Sequence, residues 1–393
     1  MKSKLAAILL AILLIITAGC QAPAGESSSE AASNAGAPRG GYRAIAYVTV
    51  PASENWRWIG TESGDKAISN VDVNYVTHIN FAFGMIKAYQ FDPAALGRPL
   101  MEGEVASSEA YKDPTDGKYH YKATVDGWIE EMHNEVHGGK YLAALVDLKQ
   151  KKPDLKVLLS IGGWDSDGFC YMAKTEEGRS EFIDSLIDLV NEYGLDGIDI
   201  DWEFPTNGGW GAIASCATCV ADAKALLTEC RTAFDKEFSE RKLLTVASSL
   251  GQPWVDRTAF AALDYMNVMC YDYDSSDANL DQADLDTASQ GMLYNLSFVG
   301  DTAANRKKLN LGVPFYNWAG PNLVPYWKPW NGVISTSSEI LKTKMEWVRT
   351  EGYGGAFYWA YSMDKFEQDV SDANDPEVKL LQRTVYENLN GEG

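Results

Sequence analysis

Histidine is scarce in this chain: 393 residues hold four. Cysteine is scarce too, and after Cys20 only Cys170, Cys216, Cys219, Cys230 and Cys270 remain. So thin a supply of imidazole and thiolate excludes a Cys- and His-built metal cage; no metal and no other cofactor is expected. An odd number of cysteines cannot all pair. Cys230 shares helical three-and-four spacing with Val220, Ala223, Leu227 and Phe234, and Cys270 lies in an apolar strand, so both read as reduced core residues. Cys216 and Cys219 form a C-x-x-C at a helix start, without the context of a thioredoxin-like redox motif. A disulfide of an oxidising compartment, involving Cys170, Cys216 or Cys219, is the better reading. Positive charge is the third deficit. Against 55 Asp and Glu stand 34 Lys and Arg, a net charge of -21. Such a surface repels nucleic acid and anionic lipid headgroups, whereas an uncharged substrate is not repelled. A glycine-rich dinucleotide loop and internal repeats of useful length are also missing.

What is present begins with an N-terminal targeting pattern. Lys2 and Lys4 precede an apolar run, Leu5 to Ile16, that is too short to span a bilayer comfortably. Thr17-Ala18-Gly19 then leads into Cys20. Small residues directly before a cysteine resemble a lipobox, although Thr17 stands where leucine is usual. Cys20 is therefore expected to carry a lipid after cleavage. That would make the protein an exported, cell-surface or outer-membrane lipoprotein, with plain secretion as the alternative. Residues 21–40 are rich in Ala, Ser, Gly and Pro and read as a flexible tether. The expected domains are a signal segment (1–20), a linker (21–40) and a single catalytic domain (41–393).

Within that domain, strand patterns alternate with helical ones. Strands are expected at Arg43–Thr49, Val76–Phe83, Leu155–Ile161, Gly197–Trp202, Leu243–Ser249, Tyr265–Tyr271, Leu309–Phe315 and Gly355–Trp359. Helices are expected over Ser180–Tyr193 and Thr336–Glu351, among others. Eight β-α units imply an α/β fold, the (β/α)8 TIM barrel, with its active site at the C-terminal ends of the strands. Two segments, Tyr89 to Gly139 and Thr206 to Ala214, read as long loops on that face.

The most informative stretch is Asp196-Gly197-Ile198-Asp199-Ile200-Asp201-Trp202-Glu203. Alternation along a strand sends Asp199, Asp201 and Glu203 to one side and Ile198, Ile200 and Trp202 to the other. Three carboxylates on one face are costly to bury ionised. Like-charge repulsion is expected to keep a proton on at least one of them near neutral pH. That is how a protein makes a carboxylic acid able to donate a proton. A solvated strand end does not suit the apolar neighbours, and calcium would want a loop with a sharp turn.

Asp196, Asp199, Asp201 and Glu203 complete an Asp-x-x-Asp-x-Asp-x-Glu pattern, and through it the chain resembles glycoside hydrolase family 18. Four other stretches agree: Leu159-Ser160-Ile161-Gly162-Gly163-Trp164, Met269-Cys270-Tyr271-Asp272, Gly312-Val313-Pro314-Phe315-Tyr316 and Gly354-Gly355-Ala356-Phe357-Tyr358-Trp359. The resemblance covers about Tyr42 to Asn388. It implies a retaining reaction in which the sugar's own N-acetyl oxygen attacks the anomeric carbon. Glu203 would protonate the leaving oxygen and then activate water. Asp201 would orient the acetamide, and Asp199 would take up the shared proton behind it. Tyr271 and Asp272 would hold the distorted sugar, with Trp359 as its floor. Tyr47 and Ser160 would hydrogen-bond Asp199. Trp164, Met269 and Tyr316 complete the substrate-binding set, and Trp210, Trp254 and Trp318 are further candidates for lining the cleft.

Trp202 before Glu203 points to the chitinase branch, acting on chitin or chito-oligosaccharides as a monomer. The alternatives are an endo-β-N-acetylglucosaminidase on N-glycans or peptidoglycan, and a non-catalytic sugar-binding lipoprotein. Asn317 to Tyr353 is too short for the small α+β insertion common between strands seven and eight. It reads as loop plus one helix. One wall of the groove should then be low, which favours endo cleavage.

Overall fold

A computed structural model of the chain describes residues 39–49, 71–88, 120–129, 134–164, 168–206, 218–251, 253–272, 285–319, 322–328, 336–372 and 374–392. Residues 36–393 form one compact unit. The signal segment with Cys20, Trp210, most of Thr206–Ala214 and residues 89–119 lie outside the described residues.

The strands, in chain order, are β1 (Arg43–Thr49), β2 (His78–Ala88), β3 (Tyr121–Thr124), β4 (Asp126–Ile129), β5 (Asn134–His137), β6 (Lys156–Gly162), β7 (Gly197–Asp201), β8 (Leu243–Ser249), β9 (Tyr265–Met269), β10 (Leu309–Pro314), β11 (Tyr316–Ala319), β12 (Asn322–Pro325) and β13 (Gly355–Trp359). Eight of them pair in the order β1-β13-β10-β9-β8-β7-β6-β2, and β1 pairs back with β2. All these pairings are parallel. The sheet is thus a closed barrel, the (β/α)8 architecture expected from the alternation of elements. Its strands are buried on both sides, so their sequences read as short, nearly continuous apolar runs. Outward residues such as Ile198 and Ile200 are fully buried under the surrounding helices.

The helix Glu176–Tyr193 starts four residues earlier than the apolar pattern suggests. Thr175 caps it by accepting from the Gly178 amide, and Glu176 and Glu177 sit in its first turn, where the helix dipole favours them. Gly194, at φ 67°, ends it. The helix Ser338–Thr350 starts at a Ser337 cap.

Three expectations change. The Tyr89–Gly139 segment is not loop throughout: β3 adds antiparallel to β2, and β4 pairs with β5 as a hairpin. The stretch after β10 also carries a hairpin, β11 with β12, beside its one helix. These strands are four residues long, too short for a period-2 pattern to stand out. Trp254 is 2% exposed and belongs to the core rather than to a cleft lining. Cys230 and Cys270 are buried free thiols. Cys219 is disulfide-bonded, and the Cys170 thiol lies with its Sγ 2.8 Å away.

Candidate active site

The acidic strand β7 sits between β6 and β8, and register fixes what meets it. Ser160 and Thr245 flank Asp199, and Gly162 lies beside Asp201. Gly162 has φ 123°, and a Cβ there would fall 2.1 Å from the Asp201 carbonyl oxygen. Only glycine lets the strands approach this closely. A Cβ on neighbouring Gly163 would meet the Phe83 ring at 2.6 Å. Gly163 therefore makes room for Phe83, which stacks on Trp359 at 5.4 Å.

Asp199 is fully buried inside the barrel. Tyr47 and Ser160 each donate to its Oδ2 at 2.8 Å, and Thr245 donates to its Oδ1. Burial pushes the Asp199 carboxyl above its ordinary range, while the Thr245, Ser160 and Tyr47 hydroxyls pull it back. Asp201, one pleat further, is 4% exposed, and its Oδ1 has no hydrogen-bond partner among the described residues. Its carboxyl is pushed well above the ordinary range, by burial first and then by the charges of Glu203 and Asp199. For Asp201, desolvation is thus the leading cause of the upward shift and like-charge repulsion the second.

Glu203 follows at the rim, half-buried. Between it and Asp201, Trp202 turns outward and stacks on Phe169 at 5.1 Å. That stacking fixes which way the neighbouring carboxylates face. Asp196, the first acid of the pattern, lies at the opposite end of the strand. It is bound by Lys149 at 2.7 Å, Lys156 at 3.2 Å and the Val157 amide at 2.9 Å. Its role is to pin β7 to β6.

Tyr271 and Asp272 leave the end of β9. Burial and the charges of Asp201, Asp272 and Glu203 push the Tyr271 hydroxyl well up, so it stays protonated and able to donate. Asp272 is exposed, with φ 58°, a left-handed conformation that aspartate tolerates. Tyr316 donates to its Oδ1 at 2.6 Å. Trp359 and Met269 are half-buried, and Trp164 is 58% exposed. Tyr47, Ser160 and Tyr316 are buried at 2%, 0% and 0% exposure. Tyr47 and Ser160 hold Asp199, and Tyr316 holds Asp272. Thr245 and Phe83 belong to the site and were not legible in the sequence. A strand threonine and a strand phenylalanine look like ordinary packing residues. The Trp318 side chain lies outside the described residues. Among the described residues, no group of His, Cys, Asp and Glu is arranged to hold a metal ion.

The C-terminal ends of β7 and β13 thus carry the buried Asp201 and half-buried Glu203 on one side and Trp359, stacked on Phe83, on the other. The chain is 25% identical over 366 residues to Chitinase 1 of Aphanocladium album, covering 77% of this chain and 78% of that relative. It is 26% identical over 325 residues to Chitinase A1 of Niallia circulans, covering 70% of this chain but only 45% of that longer protein. In fold it matches human YKL-39, a pseudo-chitinase with retained chitooligosaccharide binding, at a TM-score of 0.61 and 20% identity, over 88% of this chain and 99% of the other. Residues 54–364 match the model of glycosyl hydrolases family 18, and the chain belongs to that family.

Proposed function

We propose that the protein hydrolyses β-1,4 linkages between N-acetylglucosamine units of chitin or chito-oligosaccharides, with retention and with the substrate's acetamide as nucleophile. The observation that carries this reading is Asp201. Its Oδ1 is buried and has no hydrogen-bond partner among the described residues, which is an uncommon and costly state for a carboxyl oxygen. An acetamide N–H would satisfy it. Glu203 at the rim donates the proton to the leaving oxygen and later takes one from water. The protonated Tyr271 hydroxyl donates to the acetamide oxygen. Asp272, steadied by Tyr316, binds the distorted ring over Trp359.

The presence of Glu203 beside Asp201 favours an active enzyme over a sugar-binding relative such as the pseudo-chitinase. Membrane attachment through Cys20 and a predominantly endo mode of action are part of the same proposal. The decisive comparison is between chito-oligosaccharides and their fully deacetylated chitosan counterparts. Hydrolysis confined to the acetylated series is expected. Equal rates on both would exclude acetamide participation.

A further inference from the structure

Beneath the carboxylates, the barrel interior holds polar groups that the proposed mechanism does not use. Asn267 on β9 and Asn310 on β10 are both fully buried. They join a chain of hydrogen bonds that crosses the interior from the N-terminal end of β1. Arg43 Nε donates to Asn310 Oδ1 at 2.9 Å. Asn310 Nδ2 donates to Asn267 Oδ1 at 2.9 Å, and Asn267 Nδ2 donates to the Tyr47 hydroxyl at 3.1 Å. Tyr47 donates in turn to Asp199 Oδ2 at 2.8 Å.

Every donor in this chain points the same way, and the first link fixes the sense of the rest. A guanidinium has donors only, so Asn310 must turn its oxygen to Arg43 and its NH2 to Asn267. Asn267 must then present its oxygen to Asn310 and its NH2 to Tyr47. The Tyr47 hydroxyl, already accepting, sends its own proton to Asp199. The guanidinium is itself held by the Lys307 carbonyl at 2.6 Å and lies 4.7 Å from the centre of the Tyr265 ring. Gly354 leaves it space: a Cβ there would come within 1.8 Å of Arg43 Nη2.

We infer that Arg43, Asn310 and Asn267 are positioning residues that lock Tyr47 as a donor to Asp199, stabilising the anionic form of Asp199 in the free protein. The inference rests on reading Asp199 and Asp201 as the catalytic pair. Hydrogen bonds aligned in one direction strengthen one another, and here a cation stands at one end and a carboxylate at the other. Asp199 is faced by Tyr47 from β1, Asn80 from β2, Ser160 from β6, Asp201 and then Glu203 on its own strand, and Thr245 from β8. Arg43 is faced by Tyr265, Asp264 and His78, with Lys156 beyond. Burial holds His78 largely uncharged, down at about 3, so it does not compete with Arg43 as a cation near neutral pH.

Three variants test this: Asn267→Leu, Arg43→Met and Arg43→Lys. The first readout needs no substrate. Titration of the aspartate carboxyls in the free protein, followed by carbon-13 NMR or infrared difference spectra, reports the acid-side transition of the pair. Asn267→Leu and Arg43→Met are expected to move it up by about half a pH unit to one unit, the equivalent of one weakened hydrogen bond. Arg43→Lys keeps a donor at the head of the chain and is expected to hold the wild-type value. The acid limb of the kcat/KM profile on chito-oligosaccharides should follow the same pattern. An unchanged transition in both disrupting variants overturns the inference, as does an equal shift in Arg43→Lys. Loss of thermal stability without movement of the transition marks the chain as packing only and also overturns it. Should the wild type fail to cleave chito-oligosaccharides while the titration shifts as described, the proposed function fails and the locked donor stands.

Discussion

Glu203 is half-buried at the end of β7, and its charge is felt by Asp201, Tyr271 and Tyr316. Replacing it with glutamine keeps the shape and removes the transferable proton. Glu203→Gln is therefore expected to fold and bind chito-oligosaccharides as the wild type does, with kcat lowered by roughly 10²- to 10⁴-fold, the usual contribution of a general acid. Turnover within a few-fold of wild type would remove Glu203 from the mechanism. At this scale the sequence was informative wherever a residue type was out of place. Carboxylates alternating with isoleucines on a strand are visible because burying them is costly. Thr245 donates to the same Asp199 carboxylate as Ser160, yet it was missed, because a threonine in a strand needs no explanation. Trp254 erred the other way: an indole far from any motif gives no sign of whether it faces solvent or core.

The eight barrel strands were legible as elements because burial on both faces leaves short apolar runs, bounded by helical patterns. The short strands β3, β11 and β12 were not, since pairing to a neighbour, rather than residue choice, defines them. The C-terminal helix Leu380–Asn390 shows how one buried acid can dock an element. Asp364 accepts from the Leu381 amide at 3.3 Å, the Gln382 amide at 2.9 Å and the Lys365 amide at 2.9 Å. Burial nevertheless pushes its carboxyl up to about 6. A carboxyl raised on folding binds its proton more tightly in the native state. Its contribution to stability is therefore full below the ordinary aspartate range of about 4 and declines as pH rises towards about 6. The thermal midpoint of the wild type, measured against Asp364→Asn, is expected to fall between pH 4 and 6 and then level off. A difference that stays flat or rises across this window would show that the amide bonds outweigh desolvation.

At the scale of the whole molecule, two expectations are open to measurement. The first is attachment. Ala18-Gly19-Cys20 ends the N-terminal apolar run and precedes a tether of Ala, Ser, Gly and Pro. Cys20→Ser is expected to move the protein from the membrane fraction to the soluble one, and an unchanged distribution would count against lipid attachment. The second is the mode of cleavage. From Phe315 to Gly354 the chain has room for the β11–β12 hairpin and one helix, and not for a further α+β domain. On the side of β10 and β13 the described residues of this stretch are the β11–β12 hairpin and the helix Ser338–Thr350, and a low wall is expected there. A low wall admits a polymer laterally, so a bond in mid-chain reaches Glu203 as readily as one near an end. A tall wall would instead thread the chain from a terminus and release disaccharide at each step. Soluble glycol-chitin separates the two cases. Endo action is expected to cut its viscosity early, while few reducing ends have appeared, because each internal cut halves a long chain. Slow viscosity loss with abundant disaccharide from the first time points would mean that other segments of the chain close the groove.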